Sequence, residues 1–154
     1  MSRGWGGYKG VTARRPKGRP GGTRLQQPDG LVDHIGRMKI ANLTMEPSPT
    51  GPIVHVRGEI DLSNSEALRA NILDLVPDDR EGMVLDLTQT SYLDSSGVRL
   101  LFDIAQRLQS RHQRLVLVVS QEALIRRVVV LTKLDDVVPL VATVDEGVAA
   151  LNGN

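Results

Sequence analysis

The sequence predicts an α/β domain in which a mixed, mostly parallel sheet of four to five strands carries about four helices, behind a disordered tail. Three observations lead there. From residue 38 onward, short apolar runs of strand length alternate with segments of helical period, after a first pair of strands joined by a Pro/Gly turn. One run, Leu115 to Val119, is apolar throughout, as a strand covered on both faces must be. Residues 1–37 have no such pattern. They are broken by Gly4, Gly6, Gly7, Gly10, Pro16, Gly18, Pro20, Gly21 and Gly22, and hold too few apolar side chains to offset the entropy of ordering.

The first strand is expected over Lys39 to Glu46, where apolar residues alternate loosely. Pro47, Pro49, Gly51 and Pro52 form a turn, and Ile53 to Arg57 is the second strand, antiparallel to the first. Ser63 and Glu66 have capping-box spacing, so a helix should open there and run on through Ala67, Leu68, Ile72, Leu73, Leu75 and Val76 to Pro77. Met83 to Leu87 is the third strand. Gly97 to Ser110 reads as a helix with Val98, Leu101, Phe102, Ala105 and Leu108 on one face. Leu115 to Val119 is the fourth strand. Ser120 can cap a helix bearing Leu124, Val128 and Leu131. Val137 and Val138 suggest a short strand ending at Pro139. Thr143 and Glu146 repeat the capping-box spacing before a last helix that ends at Leu151.

Composition narrows the function. Of 154 residues, 40% are hydrophobic, enough for one core, but only 3% are aromatic, which disfavours a surface that stacks on bases or sugars. The absence of cysteine removes disulfides, thiolate metal sites and a cysteine nucleophile. No apolar run approaches the roughly 20 residues that span a bilayer, and the first residues lack the apolar stretch of a signal peptide. A cytoplasmic location is expected. The net charge of +1 hides an asymmetry: residues 1–38 carry eight Lys/Arg against two Asp, net +6, and residues 39–154 carry eleven against sixteen, net −5. Arg14, Arg15, Lys17 and Arg19 suit a polyanion or a merely solvated tail, and the tail would be untranslated if synthesis starts at Met38.

The stretch Thr88-Gln89-Thr90-Ser91-Tyr92-Leu93-Asp94-Ser95-Ser96-Gly97 holds the most chemistry. It joins the third strand to a helix, at the carboxyl end of a parallel strand where function gathers. Asp94, Ser95 and Ser96 are all helix-capping types, and Gly97 allows close approach of another backbone. Read from the residues alone, Ser95 or Ser96 is either a cap or a modified group. A nucleophilic enzyme would need a base beside the serine, and His34, His55 and His112 fall in the tail, a strand and a helix end.

Residues 38–154 resemble a STAS domain of the bacterial anti-sigma factor antagonist family. Gly58-Glu59-Ile60-Asp61 is similar to that family's loop after its second strand. Tyr92-Leu93-Asp94-Ser95-Ser96-Gly97 is similar to its phosphorylation loop. Leu124 to Leu140 is similar to its third helix and following strand. The resemblance implies a partner switch with no catalytic residue, metal or cofactor. Ser95 would be phosphorylated by an anti-sigma factor that is itself a serine kinase, and a serine phosphatase would reset it. Gly58, Glu59, Asp61, Asp94, Ser96, Gly97 and Arg99 would line the phosphorylation loop and partner surface. The unphosphorylated form would bind the anti-sigma factor and release the sigma factor, with no direct contact to sigma factor, DNA or membrane. Two positions depart from the family's usual pattern: Arg99 stands where a small residue is frequent, and Lys133 where glycine is. Arg99 lies one turn from Ser95 and can pair with a phosphate or select a different partner.

Two other readings compete. A receiver domain phosphorylated on Asp would need an acidic Mg²⁺ cluster and a nearby Lys, and Asp86 lies inside a strand with Lys133 at a helix end. A STAS module can also serve as a scaffold or ligand sensor in a stress-signalling assembly, because fold alone does not fix function.

Overall fold

The computed structural model describes residues 38–40 and 42–153. The tail expected over residues 1–37 lies outside them. The described chain runs β1 (Met38–Ile40), β2 (Leu43–Glu46), β3 (Ile53–Ile60), α1 (Ser65–Asp74), β4 (Gly82–Leu93), α2 (Ser95–Ser110), β5 (Arg114–Val118), α3 (Leu124–Leu131), a 3₁₀ turn (Leu134–Asp136), β6 (Leu140–Val141) and α4 (Val144–Leu151). The six strands lie side by side in chain order. β1, β2 and β3 are antiparallel neighbours, and β3 to β6 are parallel. The expected fold class holds. The sixth strand arises because the first predicted strand is divided at Asn42, whose φ of 65° is left-handed. A short amide side chain tolerates that conformation better than most.

Alternation along the strands sorts the core into two faces. Val54, Val56, Met83, Leu85, Leu87, Leu115 and Leu117 point to the side covered by α1, α2 and α3. Ile53, Val84, Val116 and Val118 point to the other, where α4 lays Leu151 and Val148 on them. β5 is therefore apolar on both faces, as its sequence requires.

Helix ends are set by chemistry that the spacing read only in part. Thr143 caps α4 with both bonds of the capping box in place. The equivalent spacing at Ser63 forms no box: α1 starts one residue beyond Asn64, and Ser63 Oγ donates to Asp61 Oδ1 at 2.6 Å. α2 ends in a full Schellman motif. Gln113 N–H donates to the Leu108 carbonyl (2.8 Å), and His112 N–H to that of Gln109 (2.9 Å). α2 buries Gly97, Leu100, Leu101, Ile104 and Leu108, so its inward face is centred one position from the predicted one, with Val98, Phe102 and Ala105 at its margin. α3 takes Ala123 as its N-cap, with no role for the Ser120 side chain, and buries Ile125 and Val129 while Leu124 and Leu131 face solvent. The strand expected at Val137–Val138 is displaced. The 3₁₀ turn consumes the residues just before it, and pairing starts only after Pro139.

On the α4 side a polar bridge ties three strands. His55 on β3 bonds Asp86 on β4 through Nδ1 (2.6 Å) and Glu46 on β2 through Nε2 (2.7 Å). The hydrogen bond to Asp86 is the main cause raising the His55 pKa above its usual 6.5. Burial opposes it, and the bond to Glu46 reinforces it. Burial would by itself raise Asp86, but the bonds from His55 and from the Thr88 N–H (2.9 Å) outweigh it and hold the carboxyl below its usual range. Both ring nitrogens of His55 are committed to carboxylates, so neither is free to take a proton from a serine. Asp86 is likewise engaged and does not present an open carboxylate.

Candidate functional site

The phosphorylation-loop motif is barely a loop. β4 continues through the expected connection to Leu93, a twelve-residue strand that is buried at its start and half exposed at its end. A single residue, Asp94, then turns the chain, and α2 begins at Ser95. Gly58-Glu59-Ile60, expected as a loop, is the bulged end of β3. Gly58 has a φ of +85°, and pairing with β4 slips on either side of it. A residue with a Cβ is disfavoured in that conformation. Glu59 lies opposite Tyr92 and Ile60 opposite Leu93, so the first two motifs run side by side at the carboxyl ends of parallel neighbours.

Asp94 joins them. Its backbone is extended, and its Oδ1 accepts from Ser96 N–H (2.8 Å) and Gly97 N–H (3.1 Å). Its Oδ2 accepts from Leu62 N–H at 3.3 Å, and its own N–H donates to the Ile60 carbonyl at 3.2 Å. Asp94 is therefore the N-cap, correcting the expectation that Ser95 or Ser96 fills that role. Ser95 is the first helical residue and is exposed, while Ser96, the second, is half-buried. Gly97 is buried. A Cβ there would stand 2.5 Å from Leu93 Cδ1 and 3.0 Å from the Ile60 carbonyl oxygen, so only glycine lets α2 start this close to β3.

The segment after β3 is braced from below. Asp61 Oδ1 accepts from the Ser63 hydroxyl and N–H, and the hydroxyl bond is the main cause that lowers the Asp61 pKa below its usual value. The Asn64 side chain accepts from Asp61 N–H (3.0 Å) and donates to the Glu59 carbonyl (2.8 Å), pinning both ends of the turn. Glu59 and Arg99 are exposed. Arg99 lines a shallow groove between α1 and α2, with Leu62, Ser65, Arg69, Ser96 and Asp103.

Two exposed side chains near Asp94 were not expected on the partner surface: Leu62, 79% exposed, whose N–H donates to Asp94, and Tyr92, 50% exposed, two residues before Asp94 on β4. Leu62 had a legible signal, an isolated large apolar residue inside a polar turn. Tyr92 had none, because the extent of β4 decides its exposure. Residues of the third motif form their own apolar patch, with Leu124, Val130 and Leu131 exposed on α3. Among the described residues no cluster of side chains could hold a metal ion, and no helix is long and apolar enough to cross a membrane.

A mixed sheet with three helices on one face and one on the other, whose central strand leads directly into a helix at Asp94-Ser95, is the α/β architecture of a STAS domain. Residues 42–147 match the STAS domain family. An anti-sigma factor antagonist from Mycobacterium paratuberculosis is similar at 30% identity, over 71% of this chain and 92% of that one, with a TM-score of 0.64. The chain belongs to the STAS-domain family of anti-sigma factor antagonists. SpoIIAA in its unphosphorylated form shares the fold at 22% identity, over 73% of this chain and 97% of that one, with a TM-score of 0.59. The Bacillus cell fate determinant SpoIIAA in its phosphorylated form shares it at 20% identity, over 71% and 98%, with a TM-score of 0.52.

Proposed function

We propose that this domain is a partner switch in the cytoplasm. Its unphosphorylated form binds a kinase-type anti-sigma factor and thereby frees the sigma factor, and phosphorylation of Ser95 ends that binding. It acts as a regulatory binding protein without enzymatic activity, and a serine phosphatase returns it to the binding form. The observation that carries this reading is the division of roles at the start of α2: Asp94 makes the cap, and Ser95 stands exposed beside it. In the reaction Ser95 Oγ bonds to the γ-phosphorus of ATP as the bond to ADP breaks, and the hydroxyl proton passes to a base on the kinase. The product carries a charge of about −1.5 to −2. The amino end of a helix tolerates that anion, and no cap bond is lost, so the fold survives. A partner surface seated over Leu62, Tyr92 and Glu59 would meet new negative charge beside Asp94 and would be released. That a protein of the same fold, SpoIIAA, is known in both phosphorylated and unphosphorylated forms supports the reading.

The test uses the full chain, the cognate kinase and ATP. One phosphate should be added, mapping by peptide mass spectrometry to Ser95. Ser95→Ala should remain unlabelled yet bind the kinase. Ser95→Asp should bind more weakly, with a partial effect because it adds about one charge against the 1.5–2 of phosphate. Phosphate on Ser96 alone would reassign the site. Equal tight binding by both Ser95 variants, with neither serine labelled, would refute the switch.

A further inference from the structure

The geometry points to Arg99 as the internal partner of a phosphate on Ser95, so that the modified helix holds its own phosphate and a surface cation is neutralised in the same event. This rests on the reading that Ser95 is the modified residue. Ser95 and Arg99 are i and i+4 on α2, neighbours with Cβ atoms about 5–6 Å apart on one helix face. The order is the favourable one, with the anion nearer the helix amino end and the cation one turn on. Turning by 100° per residue, Arg99 projects about 40° around the axis from Ser95, between it and Ser96.

Arg99 is also the available cation. It is exposed and lines the α1–α2 groove. Across that groove Arg69 faces Glu66 at 3.9 Å, whereas Arg99 has no ion pair among the described residues. Asp103, one turn beyond Arg99, stands in the weaker order, cation before anion. A guanidinium offers phosphate a two-pronged set of donors that lysine cannot match. The consequence of the pairing is regulatory. The surface gains an anion and in the same event loses a cation that was free for a partner, and a phosphatase must first open the pair.

The experiment installs phosphoserine at position 95 of the full chain during synthesis, with no kinase involved, and follows the phosphate by ³¹P NMR across its second ionisation. Arg99 favours the dianion, so the midpoint should be lower in the parent protein and higher by roughly 0.3 pH unit in Arg99→Ala. Arg99→Lys should recover part of the difference, and high salt should shrink it. Arg69→Ala should move the midpoint less than Arg99→Ala. Equal midpoints in the parent and Arg99→Ala at low salt would overturn the pairing. So would a larger shift in Arg69→Ala. Because no kinase takes part, a negative outcome leaves the switch itself standing, whereas a failure of kinase labelling would remove the pairing's role in the switch without moving these midpoints.

Discussion

Asp94 and Ser95 are adjacent in the chain, and the structure gives them separable energetic roles. Removing the cap should cost stability: Asp94→Ala is expected to lose about 1–2 kcal/mol in denaturant titration. Ser96→Ala should stay within about 0.5 kcal/mol of the parent, as a partly exposed site away from the cap does. A loss in Ser96→Ala as large as in Asp94→Ala would place the cap on the wrong residue. Gly97→Ala sets two effects against each other. Alanine favours a helix by about 1 kcal/mol, but its methyl group would meet Leu93 at 2.5 Å and the Ile60 carbonyl at 3.0 Å. The backbone oxygen cannot rotate away, so net destabilisation of about 1–3 kcal/mol is expected. The sequence offers three capping types in a row, and composition points to a serine as the cap where the structure uses Asp94. The choice follows from where β4 stops, and that is fixed by the pairing of Leu93 with Ile60.

At the level of single elements, legibility followed the strength of the period. β5 is apolar from Leu115 onward, and its bounds lie within one residue of those the sequence predicts. Leu117 on this strand is fully buried, so Leu117→Ala should lower stability by about 2–5 kcal/mol, measured as a fall in the denaturation midpoint. α3 was harder, because Leu124-Ile125-Arg126-Arg127-Val128-Val129-Val130-Leu131 is apolar on more than one face. Periodicity alone cannot say which face turns inward. The residue after α3's C-cap leaves the right-handed backbone. Lys133 has a φ of 66°, left-handed backbone that costs a residue with a Cβ about 1–2 kcal/mol. Glycine avoids that cost but gives back about 0.5–1 kcal/mol in chain entropy. Lys133→Gly should therefore raise stability by roughly 0.5–1 kcal/mol, visible as a higher Tm. A lower Tm would show that the lysine side chain compensates for its backbone.

For the molecule as a whole, the sequence made the α/β class and the parallel order readable, because the alternation of strand and helix survives any uncertainty about boundaries. The His55 bridge was not readable, since residues 46, 55 and 86 meet only through strand register. It predicts how stability depends on pH. His55 has a raised folded-state pKa, so its contribution is complete below 6.5 and is lost as pH rises through the folded value. Asp86 has a lowered one, so its contribution is present above 3.8 and is lost as pH falls through the folded value. Chemical denaturation across this range should show a maximum between the two. His55→Gln should remove the alkaline decline, and an unchanged profile would mean the bridge does not couple to folding. A last consequence concerns the far side of the sheet. The strand beyond β5, β6, is two residues long, too short to template an incoming strand from another chain. Association by shared main-chain bonds is closed off along that border, and recognition there is left to side chains. A contact made by side chains can be undone by a change to one of them, whereas a ladder of peptide bonds would be indifferent to it.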